Sequence, residues 1–344
     1  MRAATVDQRG AIGWLLLVII LAIAIALGLG WNDYRRFAST PLNVDGAHSI
    51  DISRGTAFKD IVHQLRSAGV TSSTPLFWRL LAEQMGVTGR VHAGEYALPH
   101  GITPRELLRR MAAGDVVQHR FTIVDGWTFR ELRLALAQKT GLAQTLGGMP
   151  DTEVAHQLGI ADGKPEGWFL PETYAFVKGE SDTDVLQRAH AAMQKLLAAL
   201  WPARASDLPL KSPYEALILA SIVEKETARA EERPEIAGVF VRRLERGMLL
   251  QTDPTVIYGL GASYDGNLRK RDLENDTPFN TYTRAGLPPT PVALPGKAAI
   301  EAALHPAPGN ALYFVARGDG SHEFSATLEE HNRAVSRFQL HHRR

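Results

Sequence analysis

A glutamate stands where the pattern asks for an apolar residue. In the stretch 212–227, SPYEALILASIVEKET, Ser212 suits a helix N-cap, Pro213 the first helical position and Glu215 the carboxylate of a capping box. At about 100° per residue, Ala216, Leu219, Ile222, Val223 and Glu226 share one face, while Glu224 and Lys225 turn toward Ser221. A carboxylate aimed at a core is costly unless it is ion-paired, hydrogen-bonded or protonated. Two readings are open on this stretch alone. One is a buried Glu–Arg pair without chemistry; the other is a general acid whose pKa is raised by apolar surroundings.

Other polar groups narrow the chemistry. In 250–259, LQTDPTVIYG, Thr252 and Asp253 lead into an apolar run with no compensating charge. Asn280-Thr-Tyr282 and Gly286-Leu-Pro-Pro289 read as irregular backbone of the kind that lines a site. The run from Glu166 through Trp168 and Phe169 to Glu172 and Tyr174 sets aromatic rings beside acids. That suits a sugar-binding wall, and equally an ordinary buried turn. His322, with Glu330-His331-Asn332 after it, closes the chain's last patterned segment, but the histidines lack the zincin spacing. Gly261-Ala-Ser-Tyr-Asp lacks the second glycine of a nucleophile elbow, and no glycine-rich phosphate loop precedes a suitable helix. Neither metal nor cofactor is expected. An acid on an apolar face with polar and aromatic loops fits glycosidic bond cleavage, where a carboxylic acid protonates the leaving oxygen. Hydrolysis needs a second carboxylate, for which Asp253 is available, although spacing alone does not assign it.

The elements that must hold these residues form an α+β chain in two parts. Its 344 residues allow about two domains. The 38 basic and 37 acidic residues nearly cancel, which argues against nucleic acid as a partner. The absence of cysteine excludes disulfides and thiolate chemistry. Residues 11–30 carry no charge, and twenty residues of helix span roughly 30 Å, a bilayer's hydrocarbon core. The run exceeds a signal-peptide core and is flanked by Trp14 and Trp31, so a single uncleaved span over 11–31 is expected. A short tail, 1–10, would lie inside and the remainder outside. Residues 32–49, interrupted by Pro41 and Gly46, read as a stalk. A unit of short strand, glycine turn and helix then recurs at Gly55, Gly101 and Gly126, with capping boxes expected at Thr103…Glu106 and Thr128…Glu131. Residues 140–165, rich in Gly and Ala, read as a connection.

Taken together, Ala220-Ser-Ile-Val-Glu-Lys-Glu-Thr227, Leu250-Gln-Thr-Asp-Pro-Thr255, Asn280-Thr-Tyr282, Gly286-Leu-Pro-Pro289 and Glu330-His-Asn332 resemble the MltG (YceG-like) endolytic murein transglycosylases. The resemblance runs from the anchor to the C-terminus. It implies a LysM-like α+β subdomain at 50–120 and a larger α+β catalytic domain at 121–344. It implies a bacterial inner-membrane protein with a periplasmic catalytic domain that cuts nascent peptidoglycan strands and leaves 1,6-anhydromuramyl ends. Cell-wall synthases such as penicillin-binding proteins become plausible partners. The resemblance puts the catalytic acid on Glu226, which the helical face selects independently. That carboxyl would titrate near neutrality, at about 6. Thr252, Asp253, Asn280 and Tyr282 are expected in the cleft, with Glu166, Glu172, His322 and Asn332 as further substrate-binding candidates. Two other readings stand beside it: a membrane-tethered glycan-binding scaffold without catalysis, and a glycoside hydrolase using Glu226 and Asp253.

Overall fold

The structure is a computed structural model and describes residues 8–44, 46 and 48–340. The start of the expected tail, 1–7, lies outside the described residues. The chain divides into two compact units after Gln118.

The first unit opens on α1 (Gln8–Ser39), a single helix of 32 residues. Its apolar run from Gly13 onward is long enough to cross a membrane and meets no protein there; Trp14 and Trp31 are both exposed. It fits a single-pass anchor. The helix does not stop at the end of that run. Tyr34, Phe37 and Ala38 are buried, and only the residues before Pro41 end it, as the pre-proline position disfavours helix. Leu42 and Val44 are buried as well. The segment expected as a stalk is therefore half helix, and it belongs to this unit's core. Proline and glycine marked the helix end, while the spacing of Tyr34, Phe37 and Ala38 marked a buried face that the stalk reading overlooked.

β1 (His48–Ile52), α2 (Phe58–Ser67), α3 (Pro75–Gln84) and β2 (Gly94–Leu98) follow, and then α4 (Pro104–Ala113). The two strands pair antiparallel from His48 against Leu98 to Ile52 against Gly94. Phe77 and Trp78 of α3 carry α1: Phe37 lies 5.7 Å from the first ring and 5.3 Å from the second, and the Tyr34 hydroxyl donates to Gln84 at 2.5 Å.

The second unit starts with β3 (Gln118–Thr122) and α5 (Phe129–Ala137), completing the third strand–turn–helix repeat. The three turn glycines hold φ of 80°, 84° and 78°, a region that penalises any Cβ. Thr128 and Glu131 form the expected reciprocal box. At α4 only half of it forms: Thr103 accepts the Glu106 N–H, but the Glu106 carboxylate turns to Arg109 and Arg110. The 140–165 connection contains α6 (Asp151–Gln157), begun by Pro150 and buried through Val154 and Ala155. β4 (Thr173–Val177) pairs with β3.

Helices then dominate: α7 (Asp182–Leu200), α8 (Pro213–Glu226), α9 (Arg233–Glu245), α10 (Asp253–Leu260), α11 (Lys270–Glu274) and α12 (Lys297–Leu304). Ser212 caps α8 by accepting the Glu215 N–H at 3.2 Å. Every residue of α8 from Ala216 to Val223 is buried, so the helix is sheathed all round rather than on one face. Its buried Ser221 donates to Ile218 O and accepts the Val292 N–H at 2.9 Å, tying the 290–294 segment to the helix. β5 (Tyr313–Ala316) and β6 (His322–Ser325) form an antiparallel hairpin, and α13 (Leu328–Val335) follows it.

Candidate active site

Glu226 is the last residue of α8, where the sheathed helix leaves the core. It keeps partial solvent access, but apolar packing around the carboxyl pushes its pKa from an ordinary 4.5 up to about 7. The Thr252 hydroxyl, which donates to Oε1, opposes that rise, and the negative charge of neighbouring Asp253 adds to it. A helix C-terminus is itself a poor place for negative charge. The carboxyl can therefore both hold and release a proton near neutrality.

The buried Glu–Arg pair exists too, two residues earlier. Glu224, whose side chain is 4% exposed, meets Arg233 at 2.8 Å and accepts the Gly296 N–H at 3.0 Å. One carboxylate of the Glu-Lys-Glu motif is thus structurally paired, and the other faces a cleft.

Thr252 and Asp253 are held by a short threonine ladder. Gln251, the one described non-glycine residue in the left-handed region at φ 50°, donates its N–H to Thr281 O at 3.0 Å. Thr252 N–H donates to Thr281 Oγ1 at 3.1 Å, and the Thr255 and Thr281 hydroxyls bond at 2.9 Å. This kinked start sets Thr252 as N-cap and Asp253 as first residue of α10. The Tyr282 hydroxyl donates to Asp253 Oδ1 at 2.5 Å, and burial pushes that phenol well up. Glu226, Asp253, Tyr282 and His322 line one cleft of about 420 Å³. His322 is anchored by Glu232, which accepts its backbone N–H at 3.0 Å and meets its Nδ1 at 2.7 Å.

Four of the sequence candidates fall outside this group. Asn280 is fully buried: its amide donates to Leu273 O and Asn275 O, and its oxygen accepts the Tyr282 N–H, so it shapes the loop instead of facing substrate. Glu166 is buried at the start of α5, accepting the Phe129 N–H at 3.0 and 3.1 Å; burial pushes it up to about 7. Glu172 is exposed beside β4, and Asn332 is exposed on α13. Trp168 stacks on Tyr214 at 5.5 Å and packs into the core, so the expected aromatic wall is an internal one.

The cleft also holds His331 of the closing motif and residues the motifs did not single out, Arg243 and Tyr313 among them. Arg243 was findable by the same test as Glu226. It follows Val239 and Phe240 by four and three residues, which places a cation on the inward stripe of α9.

Comparison with known proteins gives the family. The chain is 30% identical to the endolytic murein transglycosylase of Bacillus subtilis (strain 168), with 89% of each chain covered. It is 26% identical to that of Streptococcus pneumoniae serotype 2, covering 89% of this chain and 62% of the relative's length. The crystal structure of a yceG-like protein from Listeria monocytogenes superposes with a TM-score of 0.54 at 29% identity, covering 84% of this chain and 99% of that one. Residues 50–337 match the model of the YceG-like family, and the chain belongs to that family.

Proposed function

We propose that the protein is a membrane-anchored lytic transglycosylase acting on peptidoglycan, with Glu226 as acid and then base. One observation carries the reading: the Glu226 carboxyl stands in the cleft wall, where burial pushes its pKa up to about 7. The names of the relatives, endolytic murein transglycosylase, supply the substrate class. Protonated Glu226 gives its proton to the glycosidic oxygen between N-acetylmuramic acid and N-acetylglucosamine as the bond to C1 breaks. The resulting carboxylate takes the proton of the C6 hydroxyl while that oxygen bonds to C1, closing the 1,6-anhydro ring. No water enters, so one carboxyl serves both steps. Thr252 steadies the carboxylate between them, and Asp253, held by Tyr282, favours positive character at C1.

In this reading the α1 span crosses the inner membrane with its N-terminus inside, the 50–120 segment is a LysM-like subdomain, and cleavage sets the length of nascent strands. Asp253 in the same cleft favours a second reading, hydrolysis by two carboxylates. Incubating the protein with uncrosslinked glycan strands and weighing the products separates them, since the two sets differ by one water. Anhydro ends that vanish in Glu226→Gln are expected. Reducing ends would assign hydrolysis, and strands bound but left whole would assign a scaffold.

A further inference from the structure

The cleft contains a buried cation that forms no ion pair among the described residues. Arg243 is 7% exposed, and an unpaired buried charge is costly unless something neutralises it. Its Nε donates to Leu312 O at 2.7 Å, and its Nη1 donates to Leu249 O and Leu250 O at 3.0 Å and to Gln251 Oε1 at 3.3 Å. Those acceptors fix the plane of the guanidinium but bring no net charge. Nη2 has no partner among the described residues, although Arg243 lines the cleft. The neighbouring carboxylates are committed elsewhere: Asp253 to Tyr282, Glu226 to Thr252 and Glu232 to His322.

The guanidinium lies over the Tyr313 ring at 5.0 Å, and His331 stacks on the same ring at 5.2 Å. His331 Nδ1 is buried without a partner among the described residues. Burial, then the charge of Arg243, pushes His331 below its ordinary pKa, so it adds no second positive charge around the ring at neutral pH. A guanidinium held in place through Nε and Nη1, backed by a ring and open only at Nη2, offers a charge-assisted donor to a carboxylate.

We propose that Arg243, with His331 beside it, is a carboxylate-binding subsite of this cleft, and that its ligand is an acid group borne on the lactyl arm of the muramic acid. The proposal rests on the transglycosylase reading for its substrate class. Two sources offer that chemistry: the lactyl carboxyl itself, free on strands without peptides, and the side carboxylates of an attached peptide stem. The subsite would fix which sugar of the strand sits over Glu226, because only one of the two alternating sugars carries the arm.

Binding is measured by calorimetry on the full chain in detergent micelles, carrying Glu226→Gln so that strands stay whole. Four glycan ligands are compared: peptide-free strands with the lactyl carboxyl free or converted to its methylamide, and peptide-bearing strands with stem acids free or amidated. The expected result is about tenfold or greater preference for an acid over its amide, the size of one charge-assisted hydrogen bond. Preference confined to the first pair names the lactyl carboxyl; preference confined to the second names the stem. Arg243→Met should abolish it. Arg243→Lys is run beside it in case the methionine loosens residues 249–251, since one ammonium bound to those carbonyls has no fork left to offer. Equal binding of acids and amides overturns the proposal, as does undiminished preference in a folded Arg243 variant. Product analysis on the parent chain is independent, so cleavage and subsite fail separately.

Discussion

Packing and the Thr252 hydroxyl pull the Glu226 proton in opposite directions, and each pull is separately measurable. The protonated carboxyl is the acid, so kcat/KM should fall about tenfold per pH unit above 7. Thr252→Val removes a donor that favours the carboxylate, and the falling limb should then move to higher pH. A limb that stays or moves down would remove Thr252 from the mechanism. Glu226→Gln should lower cleavage by about 10²–10⁴-fold. The same substitution has a stability signature. A carboxyl raised from 4.5 to about 7 binds more protons folded than unfolded, so wild-type stability declines as pH rises through that window. The glutamine variant escapes that decline. It should gain about 2–3 kcal/mol relative to wild type above pH 7 and nothing below pH 4, read from thermal midpoints. A gain of equal size at both pH values would mean that the carboxyl titrates normally.

At the scale of elements, close packing competes with propensity most clearly in α9. Gly238 in a helix interior ordinarily costs about 1 kcal/mol against alanine. Here an added Cβ would stand 2.6 Å from Ala307 O and 2.8 Å from Arg242 Nη1. The clash outweighs the propensity, and Gly238→Ala should lower stability by about 1–3 kcal/mol in denaturant melts. An unchanged or higher midpoint would show that the 305–311 segment can yield. Helix faces explain much of what could be read beforehand. Glu226 stands out because the face it shares with Ala216, Leu219, Ile222 and Val223 is otherwise apolar, and Arg243 breaks the pattern of α9 in the same way. The strand–glycine–helix repeats were legible because a turn at φ near 80° demands glycine. Asn280 was not, because its three amide acceptors are carbonyls at the C-terminal end of α11, and nothing in the motif says which way the amide turns. Glu166 misled for a related reason. A carboxylate beside aromatic residues looks like a binding wall, yet the partner it found was a helix N-terminus.

For the whole molecule, the useful cut lies within α1 and not after it. A chain starting at residue 32 keeps Tyr34, Phe37, Leu42 and Val44 and should stay soluble with the first unit folded. Starting at residue 46 removes five buried side chains, Ala38 included, a loss of at least about 4 kcal/mol, and the first unit should melt earlier in calorimetry. Identical melting of the two chains would detach α1 from that core. The seamless helix has one further consequence. From Gly30, at the end of the apolar run, to Ala38, inside the core, is about 12 Å of unbroken helix. With the apolar run seated in a bilayer, the first unit rides at a fixed altitude and bearing above the lipid, like a flag on a short mast. It has no long tether on which to wander, so what it can touch is confined to a thin layer next to the membrane.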